Sequence, residues 1–244
     1  DGIKTMDISF DKGVFCHPND CSADREMDGT GLIAIPGMID THIHGYGGYG
    51  TEDADPESIL AISELLIRNG VTAFFPAVYT DTEERMIHSI KAIAEAAGKE
   101  KGASIAGIHV EGPFISEKRI GAQAAVGRHD PDPDLMLRII ETGDGLVKAM
   151  TIAPELPNTD KIAKIADKYG IILLMGHTDA SYDEAKAAIG MGIHHATHMY
   201  NAMSGINHRN PGAAGCILMD KAISAEIIAD GIHVNADLAS FTMR

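Results

Sequence analysis

From residue 32 onward, short apolar runs alternate with longer segments of helical periodicity, and this rhythm constrains the fold more than any other feature. It is the pattern of repeated βα units around a parallel sheet, because each buried strand needs a crossover helix to reach its parallel neighbour. Seven strands are expected: Leu32–Thr41, Ala73–Tyr79, Ser104–Val110, Val147–Ile152, Ile171–Met175, His194–Thr197 and Ser224–Ala229. The helices between them carry readable punctuation. Asp55-Pro56-Glu57 opens a segment with Ile59, Ile62 and Leu66 on one face, and Asn69-Gly70 stops it. Thr82 can cap the next, whose buried stripe is Met86, Ile90, Ile93 and Ala97 before Gly98. Ile162, Ile165 and Tyr169 repeat the device before Gly170, and Ser181 caps a helix running to Ile189.

Seven such strands predict a TIM-type (β/α)8 barrel of α/β class that lacks its eighth strand, since a closed barrel of this kind has eight. After strand 7 the segment NADLASFTMR reads as the first turns of a helix, and the expectation is a C-terminally incomplete barrel over residues 32–244. An open doubly wound sheet is the alternative, but its ligands would gather at one switch point rather than at strands 1, 3, 5 and 6. Residues 1–31 are turn-rich, with alternating Ile3, Met6, Ile8 and Phe10, and read as part of a small β domain too thin to stand alone.

Composition excludes several functions. A formal net charge of -15 argues against an extended nucleic-acid footprint, which needs clustered Lys and Arg. No apolar run reaches about 18 residues and no secretory leader opens the chain, so no membrane association is expected and a cytoplasmic location is the default. Cys16, Cys21 and Cys216 are an odd number and too few for a disulfide framework, which fits a reducing compartment. Cys16, His17 and Cys21 read as loop residues rather than half of a zinc site, because no second half of comparable spacing follows.

Chemistry concentrates at the predicted strand ends. His42 and His44, in PGMIDTHIHG, are i and i+2 on a strand, so their rings share a face at roughly 6–7 Å backbone separation and can converge on one ion. Glu111 precedes Gly112-Pro113, whose turn aims the carboxylate at the strand-end face, where its two oxygens can bridge two cations. His109 shares its parity, and Glu111 is preferred because it lies nearer the turn; His109 reads as a core or supporting histidine. His177 ends the run IILLMG and His198 follows His194 and His195 at the end of strand 6. Neutral imidazoles with one carboxylate suit Zn²⁺ or Fe²⁺ better than Mg²⁺.

The HxH pair after strand 1, with candidate ligands after strands 3, 5 and 6, resembles the amidohydrolase superfamily. The strings HVEGPFIS, GHTDAS, THMYNAM, NHRNPG and DGIHV are similar to its branch of N-acetylglucosamine-6-phosphate deacetylases, from about residue 32 to the end. That resemblance implies hydrolysis of the sugar's acetamide, with Glu111, His177 and His198 at the tightly held metal site and His42 and His44 at a second one. It implies one or two divalent ions per subunit. Ala122, Gln123, Asn201, Ala202, Arg209 and His233 fall where relatives meet a sugar-phosphate substrate. Arg209 suits a phosphate, because a guanidinium pairs bidentately with phosphate oxygens, and in the family it reaches a neighbouring subunit, which implies a homodimer. Two departures stand out. The family's acid/base aspartate, at the end of strand 8, has no counterpart, so no catalytic residue is assigned; Asp230 is the nearest carboxylate by topology. Gln123 stands where many members have a histidine, and an amide can donate a hydrogen bond without carrying a proton. Other amide hydrolases, of dihydroorotase or N-acyl amino-acid deacylase type, share the HxH pair but not YNAM or Arg209. A binding protein that has lost catalysis is the reading from outside the enzymes.

Overall fold

The computed structural model describes residues 4–17, 20 and 24–243. Ile3 and Cys21, which figure in the expectations above, lie outside the described residues. By its internal contacts the chain divides into Asp1–Pro36 and Gly37–Arg244. In the first unit, β1 (Ser9–Asp11) and β2 (Val14–Cys16) form an antiparallel hairpin, turned by Lys12 and Gly13, both at positive φ. Cys16 is disulfide-bonded, which removes the cysteine count as an argument for a reducing compartment. Cys216, in the second unit, is a buried free thiol.

The second unit is a parallel, curled sheet with helical crossovers. β3 (Met38–Ile43) is followed by a small hairpin, β4 (Gly45–Tyr46) and β5 (Tyr49–Gly50), and then α1 (Pro56–Ile67). Next come β6 (Val71–Val78), α2 (Glu83–Ala96), β7 (Ser104–Ile105), β8 (Ile108–Glu111), α3 (Pro133–Thr142) and β9 (Val147–Ile152). The chain continues through α4 (Thr159–Tyr169), β10 (Ile172–Met175), α5 (Tyr182–Gly190), β11 (His195–Ala196), α6 (Gly212–Met219), β12 (Ser224–Ala225) and α7 (Ala236–Thr242). The sheet order is β12-β11-β10-β9-β8-β6-β3, with β7 also on β6. Consecutive units are therefore neighbours, as an incomplete TIM-type barrel requires.

Three strands differ most from expectation, and the seventh stops at Ala225 rather than Ala229. The first begins at Met38 rather than Leu32, because its ladder opens at the pair Met38↔Val71 and Pro36 has no N–H to give. The third is interrupted at Ala106-Gly107, where a Cβ on Gly107 would stand 2.6 Å from the Lys148 side chain. The helix caps are realised as read, while of the expected buried stripes Ala97 lies one residue past α2 and Tyr169 is 45% exposed. Asp55 accepts from the Glu57 N–H with Pro56 at the first helical position, Thr82 accepts from the Arg85 N–H, and Ser181 and Glu184 form a reciprocal capping box. Gly170 ends α4 in the left-handed region, at φ 67°. Between sheet and helices lies one apolar core that includes Ile59, Phe74, Ile90, Ile108, Met136, Met150 and Ile162, all fully buried.

The curl is visible in side chains that skip strands. His109 on β8 points its Nδ1 at the Thr41 carbonyl on β3, 3.2 Å away across the intervening β6. Thr41 in turn donates to Glu226, just past β12 at the opposite end of the sheet, at 2.7 Å. Strand ladders do not join β3 to β12 among the described residues, yet their ends meet through this hydrogen bond.

Candidate metal centre

His42, His44, Glu111, His177 and His198 meet at one strand-end rim. Glu111 is at the centre and is only 2% exposed. Its Oε1 lies 2.9 Å from His177 Nε2 and 2.8 Å from His198 Nε2. Its Oε2 lies 2.9 Å from His44 Nε2 and 3.6 Å from His42 Nε2. One carboxylate thus spans two histidine pairs. Within the pairs, Nε2 atoms stand 3.1 Å apart for His177 and His198 and 3.2 Å apart for His42 and His44.

The outward nitrogens explain why this set fits a cation. His177 Nδ1 faces the Arg119 carbonyl at 2.9 Å, His198 Nδ1 the Asn201 carbonyl at 3.1 Å, and His44 Nδ1 the Ala77 carbonyl at 3.0 Å. A carbonyl only accepts, so each of these Nδ1 atoms carries a proton, which leaves Nε2 as the atom that can turn a lone pair toward an ion. Inward lone pairs about 3 Å apart repel unless a positive charge lies between them, and ligands held about 2.1 Å from one ion have about that spacing. Among the described residues, three side-chain groups can hold a metal ion: Glu111 with His177 and His198, His42 with His44 and Glu111, and His42 with His109 and Glu226.

Local backbone makes these directions possible. His177 and His198 both lie at positive φ, 46° and 29°, as do Tyr200 and Ala202. Non-glycine residues rarely adopt that region, and such strain gathers at functional sites. Gly176 precedes His177 because a Cβ there would stand 2.1 Å from Thr197 Cγ2. Tyr79 stacks on the His44 ring at 3.6 Å between centroids.

Charge follows from these contacts. Where no ion lies between them, burial works against the Glu111 carboxylate, but hydrogen bonds from an Nε2–H of His177, His198, His42 and His44 overcome it and hold its pKa well below the ordinary range. Burial likewise opposes a charge on His42, yet Glu111 and Glu226 raise it to about 9. His109 is pushed down to about 3 by burial and then by His42, so it is a neutral core histidine near pH 7.

The remaining candidates divide. Gly121 packs where a Cβ would be 3.1 Å from the His177 ring and 3.3 Å from Ala202 Cβ, so the loop carrying Ala122 adjoins Ala202 and the cluster. The Ala202 carbonyl accepts from the Thr178 N–H, and the Asn201 N–H is held by the His198 carbonyl. Gln123 is buried and already engaged: its Oε1 accepts from the Thr80 N–H at 2.7 Å and its Nε2 donates to Glu111 Oε2. Arg209 is exposed on the 205–210 loop, its N–H held by the Asn207 side chain. Asp230 accepts from the N–H groups of Ile232 and His233 and from the His233 ring, which hold it near pKa 2. Those bonds occupy both oxygens of the carboxylate within its own turn.

Sequence reasoning missed Glu226 and Thr197. The available signal was a lone glutamate in the interior of the apolar run ISAEIIA, a predicted strand.

Residues 33–243 match a family model described as "Amidohydrolase family". The chain belongs to the amidohydrolase family. Within it, the chain is 37% identical over 205 residues to the N-acetylglucosamine-6-phosphate deacetylase of Bacillus subtilis, covering 82% of this chain and 52% of that protein. It is 31% identical over 220 residues to the deacetylase of the same name from Lysinibacillus sphaericus, covering 90% and 57%. A point mutant of the Mycobacterium smegmatis N-acetyl-D-glucosamine-6-phosphate deacetylase, solved with N-acetyl-D-glucosamine-6-phosphate, superposes with a TM-score of 0.80 at 34% identity, covering 86% of this chain and 54% of that one. This amidohydrolase chain spans about half the length of the curated relatives it matches. None of its described helices is long and apolar enough to cross a membrane.

Proposed function

We propose that the protein is a metal-dependent deacetylase that converts N-acetylglucosamine 6-phosphate to glucosamine 6-phosphate and acetate. The observation that carries this reading is Glu111 spanning two histidine pairs, with the outward nitrogens of His177, His198 and His44 tied to protein carbonyls. Glu111, His177 and His198 would hold one divalent ion, Zn²⁺ or Fe²⁺, and His42 and His44 with the other oxygen of Glu111 a second. A bound ion of this kind lowers the pKa of its water toward about 7 and polarises an amide carbonyl. The protein's own contributions are positional. Gln123 donates to Glu111 Oε2 while its own oxygen is held by the Thr80 N–H, so its role is to orient the carboxylate rather than to act on the substrate carbonyl. Ala122, Asn201 and Ala202 line the sugar, with His233 beside it, and Arg209 pairs with the phosphate, its exposure suiting a site completed by a second subunit in a cytoplasmic homodimer. The leaving amine takes its proton from a carboxyl group other than Asp230. Residues 1–31 belong to a small β domain accompanying the barrel.

The test is acetate release by the full protein carrying this chain. It should act far faster on N-acetylglucosamine 6-phosphate than on the unphosphorylated sugar, and chelation should abolish turnover until Zn²⁺ or Fe²⁺ is restored. Equal rates on the two sugars would remove Arg209 as the phosphate anchor.

A further inference from the structure

We infer that Glu226 is a positioning residue for His42, fixing through Thr197 which imidazole nitrogen faces the second metal site. This rests on the reading of His42 and His44 as ligands of a second ion. His42 differs from the other three histidines in that no carbonyl receives its Nδ1. Instead Nδ1 lies 2.9 Å from Thr197 Oγ1 and 3.4 Å from Glu226 Oε2. Thr197 Oγ1 donates to Glu226 Oε2 at 2.9 Å, and Thr41 Oγ1 donates to Glu226 Oε1 at 2.7 Å. A hydroxyl has one proton, and a carboxylate accepts only. With the Thr197 proton committed to Glu226, Thr197 Oγ1 is left to accept from His42 Nδ1–H. The order His42 Nδ1–H to Thr197 Oγ1–H to Glu226 Oε2 leaves Nε2, directed at His44 Nε2 and Glu111 Oε2, as the nitrogen that gives up its proton to take an ion. Glu226 therefore does for His42 what carbonyls of Ala77, Arg119 and Asn201 do for the others, and adds a negative charge that strengthens the ligand.

Glu226→Gln keeps the shape but supplies an amide N–H, so the order of donors can reverse and present an N–H to the ion. Ion content and affinity are measured by chelator competition on the full protein with Zn²⁺. The wild type should bind two ions, and the variant should lose about 10–100-fold affinity at the weaker site while the tighter site is unchanged. Two ions with unaltered affinities in Glu226→Gln would overturn the assignment of Glu226. A single ion in the wild type would instead remove the second-site reading on which it rests. Should Glu226→Gln not fold, Thr41→Val, which frees only Oε1, must show the same selective loss at smaller size. An unchanged weaker site there overturns the assignment equally.

Discussion

At the residue scale the governing fact is a buried carboxylate shared by four imidazoles, with a second carboxylate behind one of them. Desolvation alone would neutralise such groups, so their shifted pKa values measure how strongly each depends on its partners. In chelated protein the consequence is a stability that depends on pH. His42 rises from an ordinary 6.5 to about 9, so its contribution is full below 6.5 and is lost as pH climbs through about 9. His109 falls from 6.5 to about 3 and Glu226 from 4.5 to about 2, so their contributions are present above 6.5 and 4.5 and fade as pH drops through those lower values. Glu111 shifts in the same direction as Glu226. Thermal denaturation of metal-free protein should therefore peak near pH 6.5 and decline toward pH 9. A stability that rises steadily from 6.5 to 9 would contradict the charge assignment of His42.

Elements supply direction through their ends. β8, β10 and β11 each deliver a candidate ligand at or just past the last paired residue, and the turn that follows decides where it points. Gly112 shows how little freedom such a turn has. It sits at φ 97°, and a Cβ there would stand 1.9 Å from Thr80 Oγ1, the hydroxyl that donates to the Glu111 carbonyl at 2.6 Å. Gly112→Ala thus meets both a disfavoured backbone region and a hard contact with a hydrogen-bonded group. It should cost about 2–4 kcal/mol of stability and weaken metal retention together, since strain and overpacking each contribute about 1–3 kcal/mol. A melting temperature and ion content equal to wild type would show that the turn does not hold Glu111. The sequence made this turn legible through Glu111-Gly112-Pro113, whereas the positive φ of His177 and His198 had no local signal, because histidine rarely adopts it without tertiary contacts to impose it.

For the whole molecule, the sheet curls far enough that Thr41 on the first strand and Glu226 after the last share a hydrogen bond 185 residues apart in sequence. Backbone pairing does not follow, and β3 keeps Met38 and Ile39 at 53% and 62% exposure on an edge that pairs only with β6 among the described residues. Unpaired strand edges with exposed apolar side chains recruit further strands. A 244-residue polypeptide of this sequence is therefore expected to self-associate with rising concentration, as read by light scattering, and to bind an apolar dye. A monodisperse monomer that binds no dye would show these edges to be covered.

What the sequence determined by itself is local: the alternation of strand and helix, the caps at Asp55, Thr82 and Ser181, and histidines and a glutamate at the ends of strands 1, 3, 5 and 6. Periodicity and turn chemistry act over a few residues, so they can be read from a few residues. Tertiary structure alone decided that Oε1 and Oε2 of Glu111 face different histidine pairs, that Gln123 is committed to Thr80 and Glu111, and that Glu226 stands behind His42. Those meetings depend on the register and curl of a sheet that brings together side chains far apart in the chain, and a register shift of one residue would turn each of them to the other face.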